Sequence, residues 1–137
     1  HPVNTYGTPL ESALLTLIRM KWKGDDIINP SDSEHEAVCQ EIKKNDPNAN
    51  VMGYFVDLVK TCDEVIVLPF SDGKWGKGVY AEAEAVLDLK AGKYVWAIDP
   101  FTHIIRLIHE LNAALCLAVE ETWARIRPPD RSIRPYA

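Results

Sequence analysis

The sequence predicts an α/β fold, a Rossmann-like three-layer αβα sandwich with a parallel sheet of four to five strands. Three observations carry that expectation. Glu64–Phe70 (EVIVLPF) is a short run, mostly apolar and β-branched, that reads as a buried strand. Helical patterns alternate with such runs across short connections, which calls for parallel strands joined by right-handed crossovers. A charged loop, Ser71–Lys77 (SDGKWGK), leads from the run directly into a helical pattern, GVYAEAEAVLDL. Parallel sheets take ligands at that place, beyond the carboxyl ends of the strands where loops meet helix N-termini.

Each element follows from local signals. His1–Gly7 is a loop by its Pro, Asn and Gly content. Thr8 caps a helix with Pro9 at its first position and Glu11 completing a capping box, and the helix runs to about Lys23, where Gly24 ends it. Asp25–Asn29 reads as a short strand closed by Pro30. Ser31 and Glu34 form a second capping box, opening a helix over about Ser33–Lys44, and Asn45–Asn50 is a loop. A third helix spans about Val51–Thr61. The strand Glu64–Phe70 and a helix over Gly78–Lys90 follow, with Ala91-Gly92-Lys93 as its stop, and then a strand over Tyr94–Ile98. His103–Ile108 is either an extra edge strand or the start of a helix. Val119–Arg127 reads as a short helix stopped by Pro128-Pro129, and residues 128–137 as an extended C-terminal arm, which either packs on a neighbouring subunit or hangs free.

Composition narrows the function. The 137 residues make one domain, 1–137, with an ordinary 47% hydrophobic and 26% charged content. A net charge of −5 argues against a nucleic-acid backbone as partner. No apolar run approaches the ~18 residues that would span a membrane. The three cysteines, Cys39, Cys62 and Cys116, read as small buried hydrophobes in a reducing cytoplasm. His35 and Cys39 stand one helical turn apart, but two ligands without a third make no metal site, so neither a metal nor a cofactor is expected.

The helix after the charged loop separates two acids. At about 100° per residue, Val79, Ala83, Val86 and Leu87 share one side and Glu82 sits on the margin of that stripe, while Glu84 falls with Asp88 on the opposite face. Glu82 is thus a carboxylate in the first turn, half-turned toward the sheet. It either serves chemistry or complements the helix dipole.

The residues CDEVIVLPF, then DG, then GVYAE resemble the nucleoside 2-deoxyribosyltransferase-like family, which includes nucleoside and nucleotide N-glycosidases. Its members carry a strand, an Asp-bearing loop and a Gly-x-x-x-Glu at a helix start, and in element order the likeness spans most of Asn4–Asp99. The resemblance implies cleavage or exchange of the N-glycosidic bond of a nucleoside or nucleotide. Glu82 would be the nucleophile, forming a glycosyl-enzyme as retaining glycosidases do. Asp72 would hold or protonate the base, or else merely make an Asx turn with Gly73. The family also implies substrate contacts from Asn4 and Tyr6 in the first loop and from Asn29, Ser31 and Asp32 after the second strand. Its first strand should directly precede a loop like His1–Gly7, so that strand is missing or truncated here. The family often builds its pocket from two subunits, which makes a homodimer or larger homo-oligomer the expected assembly.

The loop residues admit two uses each. Gly76, Lys77 and Gly78 offer backbone N–H groups and a cation suited to a phosphate, although GKWGKG is no P-loop. Trp75 either stacks on a base or caps the core from outside. A second acid at Glu84, where family members carry a small residue, would disturb the nucleophile only if it faced inward. The rival to an enzyme is a non-catalytic nucleotide-binding or sensor domain on the same scaffold; a structural subunit is the third reading.

Overall fold

The computed structural model describes residues 1–89 and 93–126. Among these, a mixed α/β architecture is built in the order α1 (Pro9–Lys21), α2 (Ser33–Asn45), α3 (Met52–Lys60), β1 (Glu64–Val67), α4 (Lys77–Asp88), β2 (Tyr94–Ile98), β3 (Ile105–Ile108) and α5 (Val119–Ile126). Single 3-10 turns cover Val3–Thr5 and Ala113–Leu115. The expected arm over 128–137 and the Ala91-Gly92 helix stop lie outside the described residues.

The sheet is smaller and more mixed than the sequence pattern foretold. Its three described strands run in the order β1-β2-β3, with β1 parallel to β2 and β3 antiparallel to it. The reversal comes from a tight turn instead of a crossover. Asp99 Oδ1 accepts hydrogen bonds from Phe101 N and Thr102 N, both at 2.8 Å, and Asp99 N donates to Ile104 O at 2.9 Å. A turn that short can join only antiparallel neighbours. Of the two readings for His103–Ile108, the edge strand is the one observed.

Asp25–Asn29 is not a strand. The segment is irregular, with no backbone partner for residues 26–28 among the described residues. It faces β1 across a cavity of about 540 Å³ lined by Ile27, Ile28, Glu64 and Ile66. A strand-forming sequence without a neighbour in reach has no ladder to join.

Strand alternation sends side chains to two cores. Val65, Val67, Val95 and Ala97 pack with Val79, Ala83 and Val86 of α4 and with Val59 of α3. On the other face Ile66, Leu68, Ile98 and Ile105 meet Leu10, Leu14 and Leu17 of α1. Helices therefore cover both faces of the sheet. Each fully buried aliphatic side chain, such as Val86, Val95 and Ile98, stabilises the fold by about 1.5–3 kcal/mol.

At α1 the Thr8 and Pro9 half of the expected capping box is observed and the Glu11 half is not, because Thr8 N donates to Thr5 O at 3.2 Å and the Glu11 carboxylate turns to other partners. Thr8 accepts from Glu11 N at 3.3 Å and Pro9 holds the first helical position. At α2 the expected box is replaced: Asp32 is the N-cap residue, and the Ser31 hydroxyl donates instead to Glu11 Oε1 at 3.1 Å. Glu11 also accepts from Gly7 N at 3.3 Å and lies 2.7 Å from the His1 ring. One carboxylate thus ties the N-terminal loop to the turn after Pro30.

Candidate active site

The site forms where α4 leaves the loop that follows β1. Gly76 is the helix N-cap residue and has no side chain to cap with; the cap comes from α5, whose Thr122 hydroxyl accepts from Lys77 N at 3.0 Å and donates to Ala118 O at 2.9 Å. A Cβ on Gly76 would lie 3.4 Å from Thr122 Cγ2 and 3.6 Å from a Phe70 ring carbon, ordinary contact distances that show how near α5 and the ring approach this backbone. Trp75 hydrogen-bonds on both sides to the 115–117 segment, donating to Leu115 O at 2.8 Å and accepting from Leu117 N at 2.9 Å.

Between these elements and the N-terminal loop lies a cavity of about 530 Å³. Tyr6, Glu11, Phe55, Phe70, Val79 and Glu82 form much of its wall, with Ser31, Glu36, Cys39, Gly76, Thr122 and Ile126 completing it. Its size suits a nucleoside-sized ligand, and its lining is apolar with few polar groups. Three carboxylates, Glu11, Glu36 and Glu82, line it together with the His1 imidazole, and among the described residues no Lys or Arg does.

Glu82 lies in the second turn of α4, not the first, because the helix begins at Lys77. At that depth the dipole is a weak reason for an acid. Burial pushes its carboxyl above the ordinary range. Among the described residues nothing hydrogen-bonds or ion-pairs with this carboxylate. Beside it, burial and then the charge of Glu82 raise the Tyr6 phenol, which therefore stays protonated at neutral pH. Glu84 is exposed, on the face away from the cavity.

Comparison of the chain with protein-family models, curated proteins and solved structures gives no match.

Of the residues singled out from sequence, Glu82, Tyr6, Ser31, Gly76 and Gly78 share this cavity. The others lie elsewhere. Asp72 is on an exposed turn outside the cavity lining, where its carboxylate accepts two hydrogen bonds from Arg125 at 2.8 and 2.7 Å. That pairing holds its carboxyl down at about 2, so it is ionised at neutral pH and has no proton to give a leaving base. It also accepts from Lys74 N at 3.2 Å, the Asx turn that was the bland alternative. Trp75 is a core residue, 4% exposed and packed with α4 and the sheet, and it does not line the cavity. Lys77 is exposed and off the lining, and its N–H is already taken by Thr122, which leaves the expected phosphate cradle without its cation. Asn4 is exposed in the first 3-10 turn. Asn29 is buried, faces the second cavity, and spends its Oδ1 on Ser31 N at 3.2 Å. Asp32 is exposed at the α2 cap.

Sequence reasoning missed Glu36, Cys39, Phe55, Phe70, Thr122 and Ile126 as wall residues. Thr122 and Ile126 had no signal at all, since they reach the site only through the docking of α5. Among the described residues no three His, Cys, Asp or Glu side chains group as metal ligands. His35 Nδ1 instead lies 2.8 Å from the Tyr54 hydroxyl.

Proposed function

We propose that the protein cleaves or exchanges the N-glycosidic bond of a nucleoside, with Glu82 as the nucleophile. One observation carries the reading: a half-buried carboxylate with a raised pKa, free of any partner among the described residues, on the wall of a cavity of nucleoside size. The carboxylate attacks the anomeric carbon, the base departs with the bonding electrons and takes a proton from water, and water or a second base resolves the glycosyl-enzyme. The acidic wall favours the positive charge that develops on the sugar. With three carboxylates against one imidazole, that of His1, on the wall, a phosphate is disfavoured, which turns the proposal toward nucleosides over nucleotides.

The scaffold of this reading is Rossmann-like, with four to five strands once further strands are counted; a cavity lies along the free edge of β1. A homodimer or larger assembly in the cytoplasm belongs to the same proposal. A non-catalytic nucleoside- or nucleotide-binding domain is the second reading, and it is favoured by Asp72, whose pairing with Arg125 removes the expected proton donor.

The test is incubation with purine and pyrimidine deoxynucleosides and their monophosphates, followed by detection of free base. Release from the deoxynucleosides that disappears in Glu82→Ala, with the fold retained by circular dichroism, supports the enzyme. Binding without release by the unaltered protein leaves the binding domain as the answer.

A further inference from the structure

Phe70 is held more firmly than a loop aromatic needs to be. Its N–H donates to Lys74 O at 2.8 Å and its carbonyl accepts from Gly73 N at 2.9 Å, which fixes both of its main-chain groups in one turn. Gly73 makes that turn possible with φ +83°. The ring forms part of the wall of the cavity that holds Glu82. The Arg125 guanidinium lies 5.0 Å from the ring centroid. Both of its terminal nitrogens are engaged by Asp72, which belongs to the same turn as Phe70.

An ion pair half in water stabilises a fold little. This one, however, fixes a planar cation over an aromatic ring, in a fork geometry that leaves the guanidinium few other orientations. Gly76 packs close to the same ring, a Cβ there lying 3.6 Å from one of its carbons.

We infer that Phe70 is the stacking surface for an aromatic base in the cavity, and that Asp72 and Arg125 are a positioning pair that holds its ring in place. The inference rests on the nucleoside reading for its choice of ligand. Asp72 then acts on the base through Arg125 and Phe70, not by touching it. Stacking of this kind is tolerant of base identity, so the surface accepts purines and pyrimidines, with purines favoured by their larger area.

The experiment is a calorimetric titration of the Glu82→Gln chain with free adenine, free thymine and their deoxynucleosides, repeated with second changes added. Phe70→Leu should weaken adenine binding about tenfold or more, and Phe70→Tyr should restore most of it. Asp72→Asn and Arg125→Met should each weaken it by about threefold, and the pair together no more than either alone. In the Phe70→Leu background Asp72→Asn should have no further effect, which a merely structural role would not produce. Where Phe70→Leu fails to fold, the exposed Asp72 and Arg125 changes with their non-additivity carry the test. Unchanged adenine affinity in Phe70→Leu, an undiminished effect of Asp72→Asn in that background, or no binding of any probe overturns the inference. Failure of the cleavage reading is seen separately: the unaltered protein would release no base from deoxynucleosides, while base binding would still depend on Phe70.

Discussion

A half-buried carboxylate without a partner is a burden on the fold, and Glu82 carries that burden. Because folding raises its pKa, the native state binds the Glu82 proton more tightly than the unfolded chain does. The sign follows: with the group ionised in both states, above the folded pKa, its burial subtracts from stability. Below the ordinary carboxyl value it is protonated in both states and the penalty is gone. Glu82→Gln, which keeps the shape and removes the charge, should therefore raise stability at neutral pH by on the order of 1 kcal/mol. The gain should shrink to nothing as the pH falls through and below the ordinary carboxyl range. Urea unfolding midpoints at pH 7 and pH 3.5 check this; an equal gain at both would mean that charge is not the cause. The same shift sets the activity profile. A nucleophile must be ionised, so base release should fall on its acid side above the ordinary carboxyl range. Asp72, held at about 2, contributes nothing to that limb.

The start of α4 shows what a helix needs when its own sequence supplies no cap. Gly76 has no side chain, and Thr122, 45 residues beyond Lys77, provides the acceptor for the Lys77 N–H. Thr122→Val is nearly isosteric and removes both hydrogen bonds of the hydroxyl, leaving Lys77 N–H unpaired beneath α5. It should destabilise the protein by about 1–2 kcal/mol, whereas Thr122→Ser should keep most of the stability. Thermal melts of the two variants make the comparison, and equal melting points for both would refute the capping role. Range separates what was legible at this scale from what was not. The α1 cap, Thr8 followed by Pro9, is spelled out in adjacent residues and was readable, whereas Glu11 spends its carboxylate on Gly7 and Ser31 instead of closing the box. So was the inward turn of Glu82 and the outward turn of Glu84, because helical phase is a property of consecutive residues. The Thr122 cap and the Arg125 partner of Asp72 arrive from a distant helix, and no local pattern announces them. Trp75 was ambiguous for the same reason: only the distant Leu115–Leu117 segment makes it core.

At the scale of the molecule, the sheet was legible as strands and not as an arrangement. Alternating burial in Glu64–Val67 and Tyr94–Ile98 follows from the side-chain period of two, but the direction of β3 is decided by the Asp99 turn. Asp25–Asn29 shows that β-propensity without a paired neighbour makes no strand. Its separation from β1 leaves β1 as a sheet edge among the described residues, and the consequence can be read amide by amide. Tyr94 N donates to Asp63 O at 3.3 Å, so in this parallel pair the main-chain groups of residues 63, 65 and 67 turn toward β2. Those of Glu64 and Ile66 turn toward the cavity on the other side, where no described backbone meets them. In hydrogen-exchange measurements the Val65 and Val67 amides should accordingly be protected as part of the core, while those of Glu64 and Ile66 exchange faster by an order of magnitude or more. Equal protection of all four would mean that a further strand fills the edge in solution, and would extend the sheet toward the four to five strands that the alternation of elements implied.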